Sequence, residues 1–218
     1  MRKPKPSYNM QQVDRTREFT IMPILYYVRH GLTDWNVEQR LQGRRDIPLN
    51  KHGRGQAVRC GEILRDLFAR DGRAPEEFSY VSSPLIRARA TMELMRSALG
   101  LHPARYDVDA RLAELSFGEW EGLTYAEIMA QDGHLIAERE SDKWGFVPPA
   151  GESYAQLMRR ISEWYATVHG DTVVSAHGGT ARALIAYFAI VPPQDAPHYS
   201  IDQGVVYVFA DDRIARYT

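Results

Sequence analysis

Cysteine is almost absent from this chain, since Cys60 is the only one in 218 residues. A single thiol excludes an internal disulfide and fits a reducing compartment, so we expect a cytoplasmic protein. No stretch approaches the roughly 18 consecutive apolar residues of a transmembrane helix, and no apolar run follows the basic N-terminus as in a signal peptide. The net charge is −1, which provides no general attraction for nucleic acid or a membrane surface.

Metal-binding patterns are also missing from the sequence. The chain contains no HxxxH pattern, no cysteine cluster and no paired carboxylates at metal-ligand spacing. We therefore expect neither a metal site nor a cofactor, and any negative charge on a ligand has to be neutralised by side chains.

The length fits one α/β domain of 21–218, preceded by a polar arm. Residues 1–20 contain prolines at positions 4 and 6 and little apolar surface, so we expect a poorly ordered arm. The segment 120–152 is the least regular part of the domain, and we expect it to act as a lid or insertion. A monomer and a homodimer are both compatible with the sequence.

Strand and helix patterns alternate along the domain. Apolar runs predict strands at 24–28, 78–82, 104–108, 172–176, 205–209 and 214–217. Helical periodicity or capping predicts helices from Asn50 to 71, from Ser83 to about 100, over 124–129, from Ser153 to 168 and over 180–189. This alternation predicts an α/β protein with a mostly parallel sheet, helices on both faces and one or two antiparallel edge strands.

Three of the predicted strands end in chemically similar residues. The first ends at Arg29, His30 and Gly31, the second leads to Arg87, and the strand at 172–176 ends at His177. Parallel strands bring their carboxyl ends to one edge of a sheet, where open α/β sheets bind ligands. Arginine forks and helix N-termini both bind phosphate, so we expect a phosphate pocket at this edge.

The two histidines of this edge suit different tasks. One with a neutral ring nitrogen is suited to act as a nucleophile, provided that its other nitrogen donates to a carbonyl. The second can be cationic and stabilise charge on a transferring phosphoryl group. Glu114 lies in an aromatic loop and is the best-placed acid to protonate a leaving alkoxide, with Glu121 as a nearby alternative.

Six short motifs follow one another along the chain. They are Arg29-His30-Gly31-x-Thr33-x-Trp35-Asn36, Asp46-x-Pro48-Leu49-x3-Gly53-x2-Gln56-Ala57, Ser82-Ser83-Pro84-Leu85-x-Arg87-Ala88-x2-Thr91, Glu114-x2-Phe117-Gly118-x-Trp120-Glu121-Gly122, Gly151-Glu152-Ser153 and His177-Gly178-Gly179. Each motif is weak alone, but together they are highly specific. From about Ile24 to Tyr217 the chain resembles the histidine phosphatase superfamily, in its phosphoglycerate mutase-like branch.

This resemblance implies a three-layer α/β/α sandwich with a mixed sheet of about six strands. It implies three catalytic residues: His30 as the nucleophile that becomes phosphohistidine, Glu114 as proton donor and then base, and His177 beside the phosphoryl group. It also implies a set of phosphate-binding residues, which comprises Arg29, Asn36, Arg87 and the backbone N–H of Gly178.

The resemblance leaves three functions open. The short segment between the Glu114 motif and Gly151 resembles small phosphatases of the α-ribazole phosphatase-like or broad-specificity type, because mutases of the family carry a long insertion there. We therefore expect a metal-independent phosphomonoester hydrolase that acts on a small phosphorylated metabolite. A phosphoglycerate mutase is the alternative, and a catalytically inactive module that binds phosphate or a partner is the alternative of another class.

Overall fold

The computed structural model describes residues 22–210 and 212–218. The strands in this part of the chain are β1 (Leu25–Arg29), β2 (Ser79–Ser82), β3 (Asp107–Val108), β4 (Thr172–Ala176), β5 (Val206–Ala210) and β6 (Arg213–Tyr217). The α-helices there are α1 (Asp34–Val37), α2 (Lys51–Arg70), α3 (Ile86–Ala98), α4 (Tyr125–Ser141), α5 (Tyr154–Tyr165) and α6 (Gly178–Tyr187). The predicted arm 1–20 lies outside the described residues, as does Asp211, which falls between the strands predicted at 205–209 and 214–217.

The strands form one sheet in the order β3-β2-β4-β1-β5-β6. The pairs β2–β3, β2–β4 and β1–β4 are parallel, and the pairs β1–β5 and β5–β6 are antiparallel. The predicted α/β fold with a mixed sheet of about six strands is confirmed. Because β1, β2 and β4 are parallel neighbours, their carboxyl ends meet at one edge of the sheet.

Side chains of β1 alternate between two apolar cores, as the period of two in a strand requires. Leu25 and Tyr27 pack with residues of α5 and α6 on one face. Tyr26 and Val28 pack with residues of α2 and α3 on the other face, where Cys60 is also buried. The sheet is therefore the middle of three layers, which explains why β1 reads as a continuous apolar run.

Helix α3 begins later than the sequence predicted. Ser83 was expected as its N-cap, but α3 begins at Ile86 and its N-cap residue is Leu85. The backbone N–H of Ser83 donates to the carbonyl of Ser175 at 2.9 Å. Ser83 therefore still belongs to the sheet ladder, and its hydroxyl is available for another partner.

Helix α4 is much longer than the predicted helix at 124–129. It ends at Ser141 and has a kink at Asp132, where φ is −131° and ψ is 40°. The Asp132 carboxylate accepts a hydrogen bond from the Trp120 indole at 3.2 Å. Ile128 and Ile136 are buried on either side of the kink. The kink interrupts the helical period, so the pattern beyond Met129 is hard to recognise.

Candidate active site

The predicted strand ends do converge. His30 directly follows β1, and its backbone N–H donates to the carbonyl of Ala176 at the end of β4, at 2.9 Å. His177 follows β4, and the centroids of the two imidazole rings lie 5.2 Å apart. Arg87 reaches the same place from the first turn of α3. The ends of three strands thus supply two histidines and two arginines to one edge of the sheet.

The tautomer of His30 follows from its hydrogen bonds. Its Nδ1 lies 2.8 Å from the carbonyl oxygen of Gly31, and since a carbonyl has no proton to donate, Nδ1 carries the ring proton. The opposite nitrogen, Nε2, accepts from Nε of Arg87 at 3.2 Å. Burial, followed by the charges of Arg87 and Arg29, lowers the pKa of His30 well below its usual value. A neutral ring with a lone pair on Nε2 is the result.

Close backbone packing supports this arrangement. A Cβ atom on Gly31 would lie 2.2 Å from the carbonyl oxygen of Gly53 in α2. Only glycine therefore fits between β1 and this helix. The Gly31 N–H donates to the Thr91 hydroxyl at 3.1 Å. The peptide whose carbonyl accepts from His30 is fixed by its own N–H, which Leu32 donates to Oε1 of Gln56 at 2.9 Å.

Arg87 is fully buried, and its guanidinium is held on three sides. Besides the bond to His30, its terminal nitrogens donate to the carbonyls of Gly43 and Arg45, each at 2.7 Å. Burial lowers its pKa to about 10, so the side chain remains cationic near neutral pH. The two terminal nitrogens of guanidinium carry four N–H bonds, and the two that the carbonyls leave free are able to bind an anion.

Arg29 and Arg182 form a second cationic wall. Arg29 donates one terminal nitrogen to the carbonyl of Ile201 at 2.7 Å, while its Nε is buried and has no partner among the described residues. Arg182 donates Nε to the carbonyl of Tyr199 at 2.9 Å. Neither guanidinium forms an ion pair with a carboxylate in the described part of the chain, so both are available to an anionic ligand.

His177 is fully buried behind this wall. Its Nε2 lies 2.6 Å from the hydroxyl of Ser83, and its Nδ1 is buried and without a partner in residues 22–210 and 212–218. Burial lowers the pKa of His177 well below its usual value, and the charges of Arg87 and Arg29 lower it further. The ring is therefore neutral in the ligand-free site, whereas sequence reasoning allowed it to be cationic.

Glu114 faces the start of α6. Its carboxylate accepts hydrogen bonds from the backbone N–H of Leu115 at 2.8 Å and of Gly179 at 3.2 Å. A Cβ on Gly179 would lie 2.3 Å from a Glu114 oxygen, so this contact requires glycine. The alternative acid, Glu121, accepts instead from the backbone N–H groups of Arg44 and Phe117, and it holds these two loops together.

These groups surround a small cavity of about 170 Å³. It is lined by Arg29, His30, Asn36, Arg40, Leu41, Gln42, Gly43, Arg87, Glu114, Phe117, Gly178 and Arg182. Every predicted site residue except His177 is in this lining; the His177 ring lies next to that of His30, with 5.2 Å between the ring centroids. A larger groove of about 710 Å³ lies along the β2–β3 edge, but none of the predicted residues lines it.

Sequence reasoning missed Arg40, Gln42, Phe117 and Arg182. Arg182 lies four residues after Gly178 in α6 and hence on the same helix face, a spacing that could have revealed it. Gln42 lies in an irregular loop that carries no periodic signal. Its Oε1 is buried without a hydrogen-bond partner in the described residues, so the loop holds an amide at the cavity.

The described residues lack a metal-binding group and a membrane-spanning helix. No group of three His, Cys, Asp or Glu side chains in residues 22–210 and 212–218 is arranged to hold a metal ion. In the same residues, no helix is both long and apolar enough to cross a membrane.

Known proteins resemble this chain in sequence and in fold. Glucosyl-3-phosphoglycerate phosphatase of Mycobacterium tuberculosis is 36% identical over 187 residues, which cover 79% of this chain and 78% of that protein. The 2,3-bisphosphoglycerate-dependent phosphoglycerate mutase 2 of Gloeobacter violaceus is 30% identical over 195 residues, or 86% of this chain and 85% of that protein.

Solved structures of similar proteins have the same fold as this chain. The native mycobacterial glucosyl-3-phosphoglycerate phosphatase has a TM-score of 0.69 at 32% identity, over 85% of this chain and 89% of that one. The α-ribazole phosphatase of Shigella flexneri, at 24% identity, shares the fold with a TM-score of 0.74 over 88% of this chain and 93% of that one. The family model described as histidine phosphatase superfamily (branch 1) matches residues 25–213. With this match spanning the converging strand ends and both histidines, the chain belongs to the histidine phosphatase superfamily.

Proposed function

We propose that this protein hydrolyses the phosphomonoester of a small metabolite through a phosphohistidine on His30. The observation that carries the proposal is the state of His30, whose Nδ1 donates to Gly31 and whose Nε2 presents a lone pair beside Arg87. A neutral, oriented imidazole next to unpaired guanidinium groups is the arrangement that nucleophilic attack on a phosphate ester requires.

The reaction has two balanced steps. In the first, Nε2 of His30 attacks phosphorus, the P–O bond to the alcohol breaks, and Glu114 donates a proton to the departing oxygen. In the second, the Glu114 carboxylate takes a proton from water, and the resulting hydroxide attacks the phosphohistidine. The P–N bond breaks, inorganic phosphate leaves, and His30 regains its lone pair.

The phosphoryl oxygens need donors during both steps. Arg29 and Arg87 provide guanidinium N–H groups, and the N–H of Gly178 lies at the N-terminus of α6. Asn36 accepts from Thr33 and from Gln203 through its Oδ1, so its amide nitrogen points away from these partners and is free to donate. His177 completes the set next to His30.

Charge in the cavity matches a phosphomonoester. Arg29, Arg87 and Arg182 have no carboxylate partner among the described residues, and Glu114 is the acid that faces them. Glu114 is uncharged when it acts as the proton donor and both histidines are neutral, so the three guanidinium groups set the charge of the cavity. This positive charge favours a phosphomonoester dianion over a diester, which carries only one negative charge.

The segment 120–152 is proposed as the lid over this cavity. It contains α4, and Arg40 of the cavity wall donates to Gly122 and Glu127 of this segment, at 2.8 and 2.9 Å. The similarity to glucosyl-3-phosphoglycerate phosphatase supports a small phosphorylated substrate. Because Cys60 is the single cysteine of the chain, we propose a reducing, cytoplasmic location. A monomer and a homodimer both fit the proposal.

A panel of phosphomonoesters tests this function directly. Phosphate release is measured for wild type and His30→Ala with and without EDTA, and circular dichroism controls for folding of the variant. We expect a few esters to be hydrolysed by wild type alone and without a response to EDTA. Activity that EDTA abolishes, or that survives in His30→Ala, would disprove the mechanism.

The alternative functions have their own outcomes. Similarity to a phosphoglycerate mutase favours the mutase as the second candidate, and exchange between 2- and 3-phosphoglycerate without phosphate release would establish it. A folded protein that binds phosphate but neither hydrolyses nor isomerises any ester would instead be an inactive binding module.

A further inference from the structure

Ser83 contacts the second histidine of the site and takes no part in bond breaking or proton transfer in the proposed reaction. Its hydroxyl lies 2.6 Å from Nε2 of His177, and both side chains are fully buried. The backbone N–H of Leu85 donates to the same hydroxyl at 3.3 Å. In the described residues, these two groups are the only partners of the Ser83 hydroxyl.

Counting protons around this hydroxyl distinguishes the two tautomers of His177. If Nε2 carried the proton, the Ser83 oxygen would accept from both Nε2 and Leu85, and the hydroxyl proton would have no acceptor among the described residues. If Nδ1 carries the proton, the hydroxyl donates to Nε2 and accepts from Leu85. Every proton then has a partner except the one on Nδ1, which remains free for a ligand.

We propose that Ser83 is a positioning residue that places the single ring proton of His177 on Nδ1, where it donates to an oxygen of the transferring phosphoryl group. His177 is then a neutral hydrogen-bond donor. The centroid of its ring lies 5.2 Å from that of His30, the proposed nucleophile. The buried Nδ1 without a partner is the observation that points to a ligand. Burial, which lowers the pKa of His177, keeps the ring neutral until that ligand arrives.

The backbone of His177 is fixed independently of Ser83. Its N–H donates to the hydroxyl of Tyr27 at 2.8 Å, and its carbonyl accepts from Tyr27 at 2.6 Å. Loss of the Ser83 hydroxyl therefore leaves the residue in place and removes only the partner of Nε2. Ser83 acts through the protonation of the ring, and this effect differs from a general loss of structure.

Nuclear magnetic resonance of ¹⁵N-histidine-labelled wild-type protein tests the tautomer without any need for turnover. The His177 resonances are assigned by their loss in His177→Asn. We expect Nδ1 to show a protonated shift and Nε2 an unprotonated shift, and we expect inorganic phosphate to shift Nδ1 more than Nε2. A proton on Nε2 of the phosphate-free protein would overturn the proposal.

A pair of serine variants tests the same proposal in the labelled protein. Ser83→Ala is expected to give a mixture of the two tautomers. Ser175→Ala is the matched control, because Ser175 is equally buried, lies two residues before His177 and donates its hydroxyl to the carbonyl of Ala88 at 2.8 Å. It is expected to keep the wild-type tautomer. Equal spectra for the two variants would contradict the role of Ser83.

The kinetic consequence rests on the proposed function. With an ester that wild type hydrolyses, Ser83→Ala is expected to lower kcat about 10- to 100-fold with little change in KM, as for other residues that orient a reacting group. Ser175→Ala is expected to retain most of kcat. Equal losses in both variants would overturn the proposal, whereas an inactive wild type with the expected tautomer would overturn only the proposed function.

Discussion

Nε of Arg87 donates to Nε2 of His30 at 3.2 Å, so the lone pair that would attack phosphorus is already occupied in the ligand-free site. The two terminal nitrogens of Arg87 are fixed by the carbonyls of Gly43 and Arg45. The guanidinium therefore keeps its place when His30 releases it. In the proposed reaction, a bound phosphoryl group would replace one hydrogen bond of Arg87 with another, and this side chain would not need to rearrange.

Replacement of Arg87 tests this relationship. Arg87→Ala is expected to lower kcat/KM about 10²- to 10³-fold, the effect of removing one preorganised donor from a developing anion. Arg87→Lys should remain strongly impaired, because an ammonium group does not reproduce a planar fork with three fixed contacts. Phosphate-release kinetics provides the measurement. Arg89→Ala is the control, because the Arg89 side chain is exposed on the same helix and donates to the Tyr106 hydroxyl. An equal loss there would contradict a specific role for Arg87.

Acid is expected to destabilise the fold through the two buried histidines. The pKa values of His30 and His177 lie well below the ordinary 6.5 in the folded state. The unfolded chain therefore binds protons first as the pH falls below 6.5, and the free energy of unfolding decreases. The loss amounts to about 1.4 kcal/mol per pH unit for each histidine until the folded-state pKa is reached.

Urea unfolding between pH 7.5 and 5.0 measures this slope. The double variant His30→Gln/His177→Gln is expected to flatten it, whereas His169→Gln, at an exposed histidine, should keep the wild-type slope. A double variant with the full acid dependence would show that other groups cause it.

The sequence predicts the location of the site better than its internal chemistry. The buried strands that end in Arg29, His30 and His177 can be recognised in the sequence, because each is a short apolar run followed by polar residues. The parallel sheet order then brings these ends together. The later start of α3 could not be predicted, because the ladder bond of Ser83 to Ser175 joins residues far apart in the chain.

The protonation of the site was also beyond the sequence. Sequence reasoning allowed a cationic His177, but complete burial lowers its pKa, and burial depends on how several elements pack. Arg182 was missed for a similar reason, since its charge matters only because α6 directs it into the cavity. Motifs therefore indicate which residues meet, and the packing around them determines their charge and hydrogen bonding.

Arg182 is expected to contribute to phosphate binding through its charge. Arg182→Gln removes one of the three unpaired guanidiniums of the cavity and is expected to raise KM, and the inhibition constant of inorganic phosphate, about tenfold. Arg182→Lys keeps the charge and should recover much of this loss. Steady-state kinetics with phosphate as a competitive inhibitor provides both values. Equal weakening in the Lys and Gln variants would attribute the effect to the bond with Tyr199 instead of the charge.

Glu114 is expected to affect the two reaction steps differently, and two substrates separate them. With p-nitrophenyl phosphate, whose leaving group needs no protonation, Glu114→Ala should release one equivalent of p-nitrophenol per site in a burst and then turn over slowly. The burst arises because phosphohistidine forms normally while water is no longer activated. With an alkyl phosphate the first step itself should slow about 10²- to 10⁴-fold, because the alkoxide lacks its proton donor.

Rapid-quench measurements follow both esters in the Glu114→Ala variant. Glu119→Ala, which removes an exposed acid from the same loop, should behave as wild type. Equal slowing of both esters without a burst would mean that Glu114 positions α6 through the N–H of Gly179 and transfers no proton.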